Sequence, residues 1–484
     1  MADYLPLYMF VTLAVLLFSG YPVAWVLGGV GLAYGFVGMA AGEFMFIQFS
    51  TLPSRIYGGI METLLLTAVP MFVFMGMMLE KSGVARDLLN CLTVLLRRVP
   101  GGLALSVTVM GTVLAATTGI IGASVVMMTL LALPVMIDRR YSPELATGTI
   151  AASGCLGILI PPSIMLVIMA DLLSRSVGTL FMAAFVPGLL LATLYAVYIV
   201  VRCALNPSLA PALPDDVGPR GAGPVAAMAV RSFVPPVILI VMVLGSILGG
   251  FATPTEAAGV GALGATLLAA VNLVILPKMG VRPVPDITGD APVAAATLLE
   301  PEDGSVRAFW GTFNRVIEDT ARTNAMIFGI FIGATLFSYT FRALGGDQLI
   351  LGAVDALGFG SWGLLLLILA LVFVLGFFFD WIEITLIVLP IFAPIITVLD
   401  FGDHLAQPEI AYWLAILIAM NLQTSFLTPP FGFALFFLKA TAPKEVRLQQ
   451  IYRGIVPFVV LQLLALVLVL VFPSIAMWLP RLLL

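Results

Sequence analysis

Long apolar runs separated by short polar connections make up almost the whole chain. Nearly every window of about 19 residues is apolar enough to cross a bilayer, so this pattern predicts an all-α polytopic membrane protein. Residues 5–40 predict one long helix or two short ones, with a break at residues 20–22 because proline removes a helix hydrogen bond. Further uninterrupted helices are predicted over about 60–80, 177–202, 232–250, 256–276, 323–343 and 451–478.

Four apolar runs are instead interrupted in their middle by small or polar residues. The interruptions are TTGIIGAS from Thr117, GILIPPS from Gly157, GFFFD from Gly376 and NLQTSFLTPP from Asn421. A broken helix leaves N–H and C=O groups unpaired, and lipid cannot satisfy them. Such breaks are tolerated only where protein or a water-filled cavity surrounds them, which is typical of a transporter's binding site.

The same order of elements occurs twice: helix, interfacial stretch, broken hairpin, broken crossing and closing helix. In the first copy the interfacial stretch, residues 84–96, has the helical apolar spacing of an amphipathic helix lying in the membrane interface. Sequence identity between the two copies is slight, so it is the order of elements that repeats and not the amino-acid sequence. The first predicted repeat covers residues 1–202 and contains a hairpin over 101–138 and a broken helix over 142–173. An irregular linker is predicted over 203–231. The second predicted repeat covers 232–484 and contains a polar loop over 278–307, a hairpin over 361–400 and a broken helix over 408–438.

Basic residues mark the cytoplasmic side and orient the two hairpins. The first hairpin starts after Arg97 and Arg98 and ends at Arg139 and Arg140, so it enters from and returns to the cytoplasm. No Lys or Arg occurs between Ala343 and Leu438, so the second hairpin enters from outside and the repeats are inverted. This topology leaves four of the 22 basic residues outside: Arg55, Arg175, Arg342 and Arg481.

Composition narrows the functional class. The chain is 61% hydrophobic and 10% charged, and its mean hydropathy of +1.14 excludes an ordinary soluble protein. Its 22 basic residues are scattered, which argues against a nucleic-acid partner. The N-terminus lacks a basic n-region and predicts a mature helix rather than a cleaved signal peptide.

No pattern for enzyme chemistry is found. Cys91, Cys155 and Cys203 lie far apart without metal-ligand spacing and are expected to be small apolar fillers. The chain has one histidine and no nucleotide loop, haem or zinc signature. We therefore predict neither catalytic residues nor a cofactor. Transport must then draw its energy from an ion gradient.

The four interruptions offer neutral oxygens and one carboxylate, which are hard ligands suited to a small alkali cation such as Na⁺. Half-helix N-termini beside them suit a substrate carboxylate. We predict one Na⁺ site at each hairpin and its partner crossing, with an anion between them. The first Na⁺ site comprises Thr117, Thr118, Gly119, Ser124, Gly157 and Ser163. The second comprises Gly376, Asp380, Thr424, Ser425 and Thr428. The substrate site comprises Ser124, Ser163, Asn421, Gln423 and Thr428.

Other interpretations remain open at this point. The small residues at the breaks also favour tight helix packing without any ligand. Asp380 and Glu383 are costly at membrane depth and typical of a pathway, but both would be unremarkable near the wet outer interface. Both carboxylates can titrate, so proton coupling is an alternative to sodium. The TPTE segment at Thr253 predicts a capping box, so Glu256 is assigned to capping rather than to an ion.

Several motifs resemble the large membrane subunit of tripartite ATP-independent periplasmic (TRAP) transporters: GIIGAS, GILIPPS, SVGTLFMAAFVPGLLL, TPTEAAGVGAL, GFFFD and NLQTSFLTPPFG. The resemblance runs from about residue 5 to 478. It implies an elevator-type transporter, in which a domain carrying both hairpins slides against a scaffold. It also implies cation sites at the two hairpin tips with their partner breaks. The WIE that follows GFFFD departs from the family pattern, so no role is carried over to Glu383.

The resemblance further implies partners and substrates. The partners are a small four-helix membrane subunit and a periplasmic substrate-binding protein; the substrates are organic acids such as dicarboxylates, sialic acids, sugar acids and 2-oxo acids. The expectation is therefore Na⁺-coupled import of an organic acid anion across the bacterial inner membrane, with lipid as the surrounding partner. The alternatives are a stand-alone carboxylate symporter that needs no binding protein, and an ion channel or a non-transporting scaffold.

Overall fold

A computed structural model describes residues 4–118, 121–212, 218–219, 221–279, 305–358, 360–396, 399–429 and 432–483. Within these residues every regular element is helical. Nine helical stretches of the described chain are long and apolar enough to cross a membrane. The prediction of an all-α polytopic membrane protein is confirmed.

Ten α-helices lie between the start of the described chain and residue 205. A π-helical turn, Tyr57–Met61, and a 3₁₀ turn, Leu64–Thr67, precede α4, so the predicted helix over 60–80 begins irregularly. A second 3₁₀ turn, Leu156–Ile158, separates α8 from α9. The helices are α1 Leu5–Leu17, α2 Val23–Ala41, α3 Phe46–Ile56, α4 Ala68–Lys81, α5 Val84–Leu95, α6 Gly102–Thr118, α7 Ile121–Asp138, α8 Pro143–Cys155, α9 Ile164–Leu172 and α10 Val177–Leu205.

Twelve more helices follow along the described chain. A π-helical turn, Val271–Ile275, joins α13 to α14. The helices are α11 Ala222–Ser232, α12 Val234–Leu248, α13 Pro254–Ala270, α14 Leu276–Lys278, α15 Val306–Ala343, α16 Gly346–Leu357, α17 Ser361–Leu375, α18 Trp381–Ile396, α19 Ile410–Leu427, α20 Phe433–Thr441, α21 Leu448–Val471 and α22 Ser474–Leu483.

Local sequence signals account for several of these boundaries. The predicted capping box at the start of α13 is confirmed: the Thr253 Oγ1 accepts from the Glu256 N–H at 3.3 Å, and Glu256 Oε2 accepts from the Thr253 N–H at 2.8 Å. Ser305 caps α15 by accepting from the Ala308 N–H at 3.0 Å. Gly42 ends α2 at φ +82°, a conformation that favours glycine.

The helices form two packed sets. A peripheral group consists of α2–α4, α12, α13 and α15, in which α15 packs along α2 and α4 while α13 packs on α4 and α12. Small residues let α2 and α15 approach closely: a Cβ on Gly31 would lie 2.9 Å from the Leu336 carbonyl carbon. A central group consists of α6–α9 and α17–α21, in which α7 and α21 pack on α8 while α17 and α21 pack on α19.

The central group encloses both interrupted crossings. All of α8 from Leu145 to Cys155 is buried, as is α9 from Ile164 to Ala170. In the most apolar part of the stretch Gln407–Leu427, which contains α19, 94% of the residues are buried, against 28% in that of Pro254–Lys278, which contains α13. The broken segments therefore lie inside protein, where their backbone groups are shielded from lipid.

The predicted interfacial helix over residues 84–96 is present as α5, but it is more enclosed than an amphipathic surface helix. Residues on every side of it are buried, among them Asp87, Asn90 and Cys91. Helices α4 and α6 pack against α5, and α11 also contacts it. Cys91 and Val94 of α5 form a separate apolar cluster with Met228 of α11.

Three predicted boundaries also differ. The irregular linker over 203–231 contains the helix α11, which covers α5. The helix predicted over 323–343 begins 17 residues earlier, at Val306, because Ser305 caps it and the amphipathic first half packs on the peripheral group. The last helix, predicted over 451–478, is divided at Pro473 into α21 and α22. The predicted polar loop over 278–307 lies largely outside the described residues.

The closest crossing in the central group makes a testable prediction. A Cβ on Gly148 of α8 would overlap the Gly454 carbonyl oxygen of α21 and lie 2.6 Å from its carbon. We expect Gly148→Ala to destabilise the protein by about 1–3 kcal/mol, because backbone must move to admit the methyl group. Thermal unfolding in detergent, followed by size-exclusion chromatography, measures the fall in Tm.

Gly259→Ala is the matched control, since Gly259 also lies within a helix but nothing stands within 4 Å of its added Cβ. Gly259→Ala gains the same increase in helix propensity as Gly148→Ala, but its added methyl group overlaps no other atom. This control is therefore expected to keep or raise Tm. Equal Tm values for the two variants would contradict the close α8–α21 crossing.

Candidate functional site

The first interrupted crossing opens a fully buried gap between α8 and α9. After the 3₁₀ turn that ends at Ile158 the chain passes through the Pro161–Pro162 pair, whose peptide bond is cis, to Ser163. The Ser163 Oγ donates to the Ile158 carbonyl at 2.8 Å across this gap and does not cap α9. The first N–H groups of α9 therefore have no side-chain cap, which leaves them available to an anion. Gly157 lies within the 3₁₀ turn, as part of the same gap.

The second interrupted crossing ends α19 and begins α20. Three hydroxyls on its last turns donate to carbonyls of their own helix: Thr424 to Met420 at 3.1 Å, Ser425 to Leu422 at 2.8 Å and Thr428 to Thr424 at 2.7 Å. A hydroxyl that donates in this way keeps its oxygen lone pairs for a further partner. Thr428 is already extended, at φ −92° and ψ 127°.

Two amides of α19 lie one to two helical turns before that break. Asn421 Nδ2 donates to the Leu369 carbonyl at 2.6 Å, so Asn421 ties α19 to α17 of the second hairpin. Gln423 is fully buried, and neither its Nε2 nor its Oε1 has a hydrogen-bond partner. A buried amide without partners costs free energy, so a bound ligand or water is the expected occupant beside it.

The second hairpin closes on α19 at Gly376. A Cβ there would overlap the Ser425 Oγ and lie 2.6 Å from the Ser425 Cβ, so only glycine fits this approach. The tip therefore brings the hairpin backbone against the Ser425 side chain of α19. Gly376 and Ser425, both predicted in the second Na⁺ site, lie together.

Asp380 ends that tip and begins α18. Its Oδ1 accepts from the Trp381 N–H at 2.7 Å, and its own N–H donates to Glu383 Oε2 at 3.2 Å. Glu383 therefore has a capping role at the start of α18. Asp380 is half-buried, and α18, which it begins, packs against α9. The second hairpin thus reaches the first interrupted crossing.

The first hairpin contributes α6 and α7, which pack against each other and both against α8. Ser124 is buried near the start of α7. Gly122 and Gly154 allow close packing: an added Cβ would lie 3.0 Å from Phe437 of α20 in the first case and 2.5 Å from Val125 in the second. The side chains of Thr117 and Thr118, and the whole of Gly119, lie outside the described part of the chain.

The arrangement joins parts of both predicted repeats. Helix α7 contacts α8 and α20, α18 contacts α9, and α19 contacts the 3₁₀ turn between α8 and α9. The free amide of Gln423 was not predictable, since its lack of partners depends on what packs around α19. The involvement of Asn421 with α17 likewise has no signal in the sequence.

The family described as "Tripartite ATP-independent periplasmic transporter, DctM component" matches residues 10–475. The chain belongs to this family. The DctM component is a transport protein rather than an enzyme, and with its apolar helices this permease is a multi-pass protein of the bacterial inner membrane.

Individual relatives agree with this assignment. The permease is 29% identical over 420 residues to the "C4-dicarboxylate TRAP transporter large permease protein DctM" of Vibrio cholerae, with 86% of each chain covered. It is 28% identical to the "Ectoine TRAP transporter large permease protein TeaC" of Halomonas elongata, covering 97% of this chain and 98% of that protein. The fold is similar to that of the crystallised YdaH transporter of Alcanivorax borkumensis, at a TM-score of 0.55 and 16% identity over 90% of this permease and 88% of that chain.

The close approach at Gly376 generates a prediction about the site. We expect Gly376→Ala to lower Tm and to reduce uptake, because the added methyl group would push the hairpin tip away from Ser425. Ser425→Gly removes the opposing atoms, so the double variant is expected to recover part of the Tm lost by Gly376→Ala. A double-mutant cycle in Tm measures this coupling.

Gly352→Ala serves as the control, because nothing lies within 4 Å of an added Cβ at that position. Losses that simply add in the double variant would show that the tip and α19 are not in contact.

Proposed function

We propose that this permease imports an organic acid anion together with Na⁺, as the transporting subunit of a three-component system. The substrate anion would lie between the two interrupted crossings, and one Na⁺ would lie at each hairpin with its partner crossing. The observation that supports this best is Gln423, a fully buried amide with no hydrogen-bond partner at either polar atom. A substrate carboxylate could accept a hydrogen bond from the Gln423 Nε2, and a substrate hydroxyl could donate one to its Oε1.

The start of α9, a helix that α19 contacts, supports an anion in particular. The first turn of α9 has no side-chain cap, and a helix start carries partial positive charge. The substrate residues in this proposal are Ser124, Ser163, Asn421, Gln423 and Thr428. Asn421 contributes the second hydrogen of its Nδ2, since the first donates to the Leu369 carbonyl.

The cation assignment rests on oxygen geometry. In the second site the hydroxyls of Thr424, Ser425 and Thr428 donate to backbone carbonyls and keep their lone pairs. Gly376 brings the hairpin backbone onto Ser425, and Asp380 adds a carboxylate near the same tip. In the first site Thr117, Thr118, Gly119, Ser124, Gly157 and Ser163 remain the predicted ligands. Neutral oxygens with one carboxylate suit Na⁺.

The family suggests the partners and the mechanism. A small membrane subunit and a periplasmic binding protein would complete the system, and the central group would move against the peripheral group as an elevator. The dicarboxylate and ectoine named for the relatives define a first substrate panel for this permease. Counterflow with radiolabelled succinate, ectoine and other organic acids, in proteoliposomes holding the permease and its small subunit, identifies the substrate.

The same assay separates the rival functions. Saturable, Na⁺-dependent uptake only when the loaded binding protein is present supports the proposal. Equal uptake without a binding protein supports a stand-alone symporter, and flux that does not saturate supports a channel. Uptake driven by a pH gradient in Na⁺-free buffer supports proton coupling in place of sodium.

The role of Gln423 is testable by separating activity from stability. Gln423→Leu removes two unpaired buried polar atoms, so we expect Tm to stay equal or rise. Loss of a buried hydrogen bond to a charged substrate is expected to reduce uptake about tenfold or more. Gln462→Leu is the control, because Gln462 is 1% exposed but lies on α21. Normal uptake by Gln423→Leu would remove this residue from the substrate site.

The role of Thr428 is testable through the sodium dependence. Thr428→Ala removes a predicted Na⁺ ligand and is expected to raise the Na⁺ concentration for half-maximal uptake severalfold, whereas Thr428→Ser keeps the hydroxyl and restores it. Thr441→Ala is the matched control: the Thr441 Oγ1 donates to the Phe437 carbonyl at 2.9 Å in the same way, but at the far end of α20. An unchanged Na⁺ dependence in Thr428→Ala would contradict the second site.

A further inference from the structure

A cavity of about 830 Å³ separates the peripheral and central groups. Its peripheral wall comprises the end of α3 and the last turns of α15, and its central wall comprises Leu172 at the end of α9 together with Leu386 and Pro390 of α18. The cavity is distinct from the breaks, because the described residues there, 156–163, 428–429 and 432, do not line it. We call it the vestibule.

The vestibule belongs to the outer half of the protein in the predicted topology. Helix α15 runs from Arg307, inside, to Arg342, outside, and α4 runs inward from the segment after α3 towards Lys81. The second hairpin enters from outside, so Pro390 lies in its outer part. An anion arriving from the periplasm would therefore meet the vestibule before the deep site.

Two of the four outside basic residues line this one cavity, namely Arg55 and Arg342. The Arg55 guanidinium stacks over the Tyr339 ring at 4.6 Å from its centroid, and no carboxylate among the described residues pairs with it. Arg342 donates to the Pro390 carbonyl, and its Nε lies 4.0 Å from Asp347 Oδ1, the outer limit of an ion pair. Arg481, by contrast, is neutralised by Glu409 through contacts of 2.7 and 2.5 Å.

The polar lining also has unused capacity. The Ser338 Oγ is buried on the vestibule wall without a hydrogen-bond partner. Arg342 bonds a neutral carbonyl, and a charged carboxylate would offer it a stronger, charge-assisted bond. A positively charged cleft with apolar walls raises the local concentration of anions.

We propose that the vestibule is a receiving site for the carboxylate of a small organic anion, held by Arg55 and Arg342 before it moves to the interrupted crossings. This proposal rests on the proposed function for the identity of the cargo. The charge preference of the vestibule, however, is measurable without any transport.

Ser54 lines the vestibule and is exposed, so Ser54→Cys provides a reporter thiol. The three native cysteines are buried, and the parent chain supplies their background labelling. The full-length protein is labelled in spheroplasts, where membrane-impermeant reagents reach only the outer face. The measured quantity is the labelling rate of an anionic methanethiosulfonate (ethylsulfonate) divided by that of a cationic one (ethyltrimethylammonium).

We expect this ratio to fall about tenfold when Arg55→Gln and Arg342→Gln are combined, since two nearby positive charges are lost. Arg175→Gln is the matched control, because Arg175 is also outside but does not line the vestibule, and it should leave the ratio within about twofold. Millimolar succinate should slow labelling with both arginines present, chloride should not, and the double variant should show no protection.

An equal ratio of anionic to cationic labelling in the parent protein and in the double arginine variant would overturn the proposal. So would the absence of protection by any organic anion in the panel, which would leave lipid phosphate or an acidic partner surface as the ligand of these arginines. Labelling of the Ser54→Cys variant only after the spheroplasts are permeabilised would place the vestibule on the cytoplasmic side and would also overturn the proposal. If charge preference and protection hold while Na⁺-driven uptake is absent, the proposed function fails and the anion site stands.

Discussion

The structure depends on one constraint: a helix interrupted within a membrane must bury its unpaired backbone groups in protein. The interruption between α8 and α9 and the one after α19 are both enclosed by the central group. Enclosure needs close approach, and glycines provide it at Gly148 against Gly454, at Gly154 against Val125 and at Gly376 against Ser425. The peripheral α13 has no interruption and needs no such enclosure, so much of it is only partly buried.

Most polar side chains at the breaks are already occupied within the fold. The hydroxyls of Ser163, Thr424, Ser425 and Thr428 all donate to nearby carbonyls, which fixes their oxygens in place before any ion arrives. Gln423 is the exception, since both ends of its buried amide are unpaired. Hydroxyl oxygens that are already held in position could coordinate an ion, and an unpaired amide could form hydrogen bonds with a substrate. This combination suits a site that recognises its substrate through a few hydrogen bonds.

The sequence predicted the elements that have local causes. Proline pairs and glycines locate the breaks, and TPTE locates the start of α13, because these residues act on their own backbone. It did not predict the burial of α5, because an apolar stripe at residues 84–96 suits a membrane interface and a protein interior equally. The packing of α4, α6 and α11 on α5 decides between them, and α11 lies more than a hundred residues away in the sequence. In the same way, the local sequence does not show that Arg55 and Arg342 line the same cavity or that the Gln423 amide has no hydrogen-bond partner. Both facts arise from tertiary packing.

Charge balance supports the proposed coupling of the substrate to a cation. The described residues place no Lys or Arg among those at the interrupted crossings, so an anion there would find only the uncapped start of α9, amides and hydroxyls. Burying a carboxylate with such partners is costly, and a nearby Na⁺ lowers that cost. By thermodynamic linkage the bound anion must then strengthen Na⁺ binding by the same factor. Under the proposed function, the absence of Lys and Arg among the described residues at the crossings favours joint binding of the anion and Na⁺. Arg55 and Arg342 instead line the vestibule, where a permanent charge can attract an anion without trapping it inside.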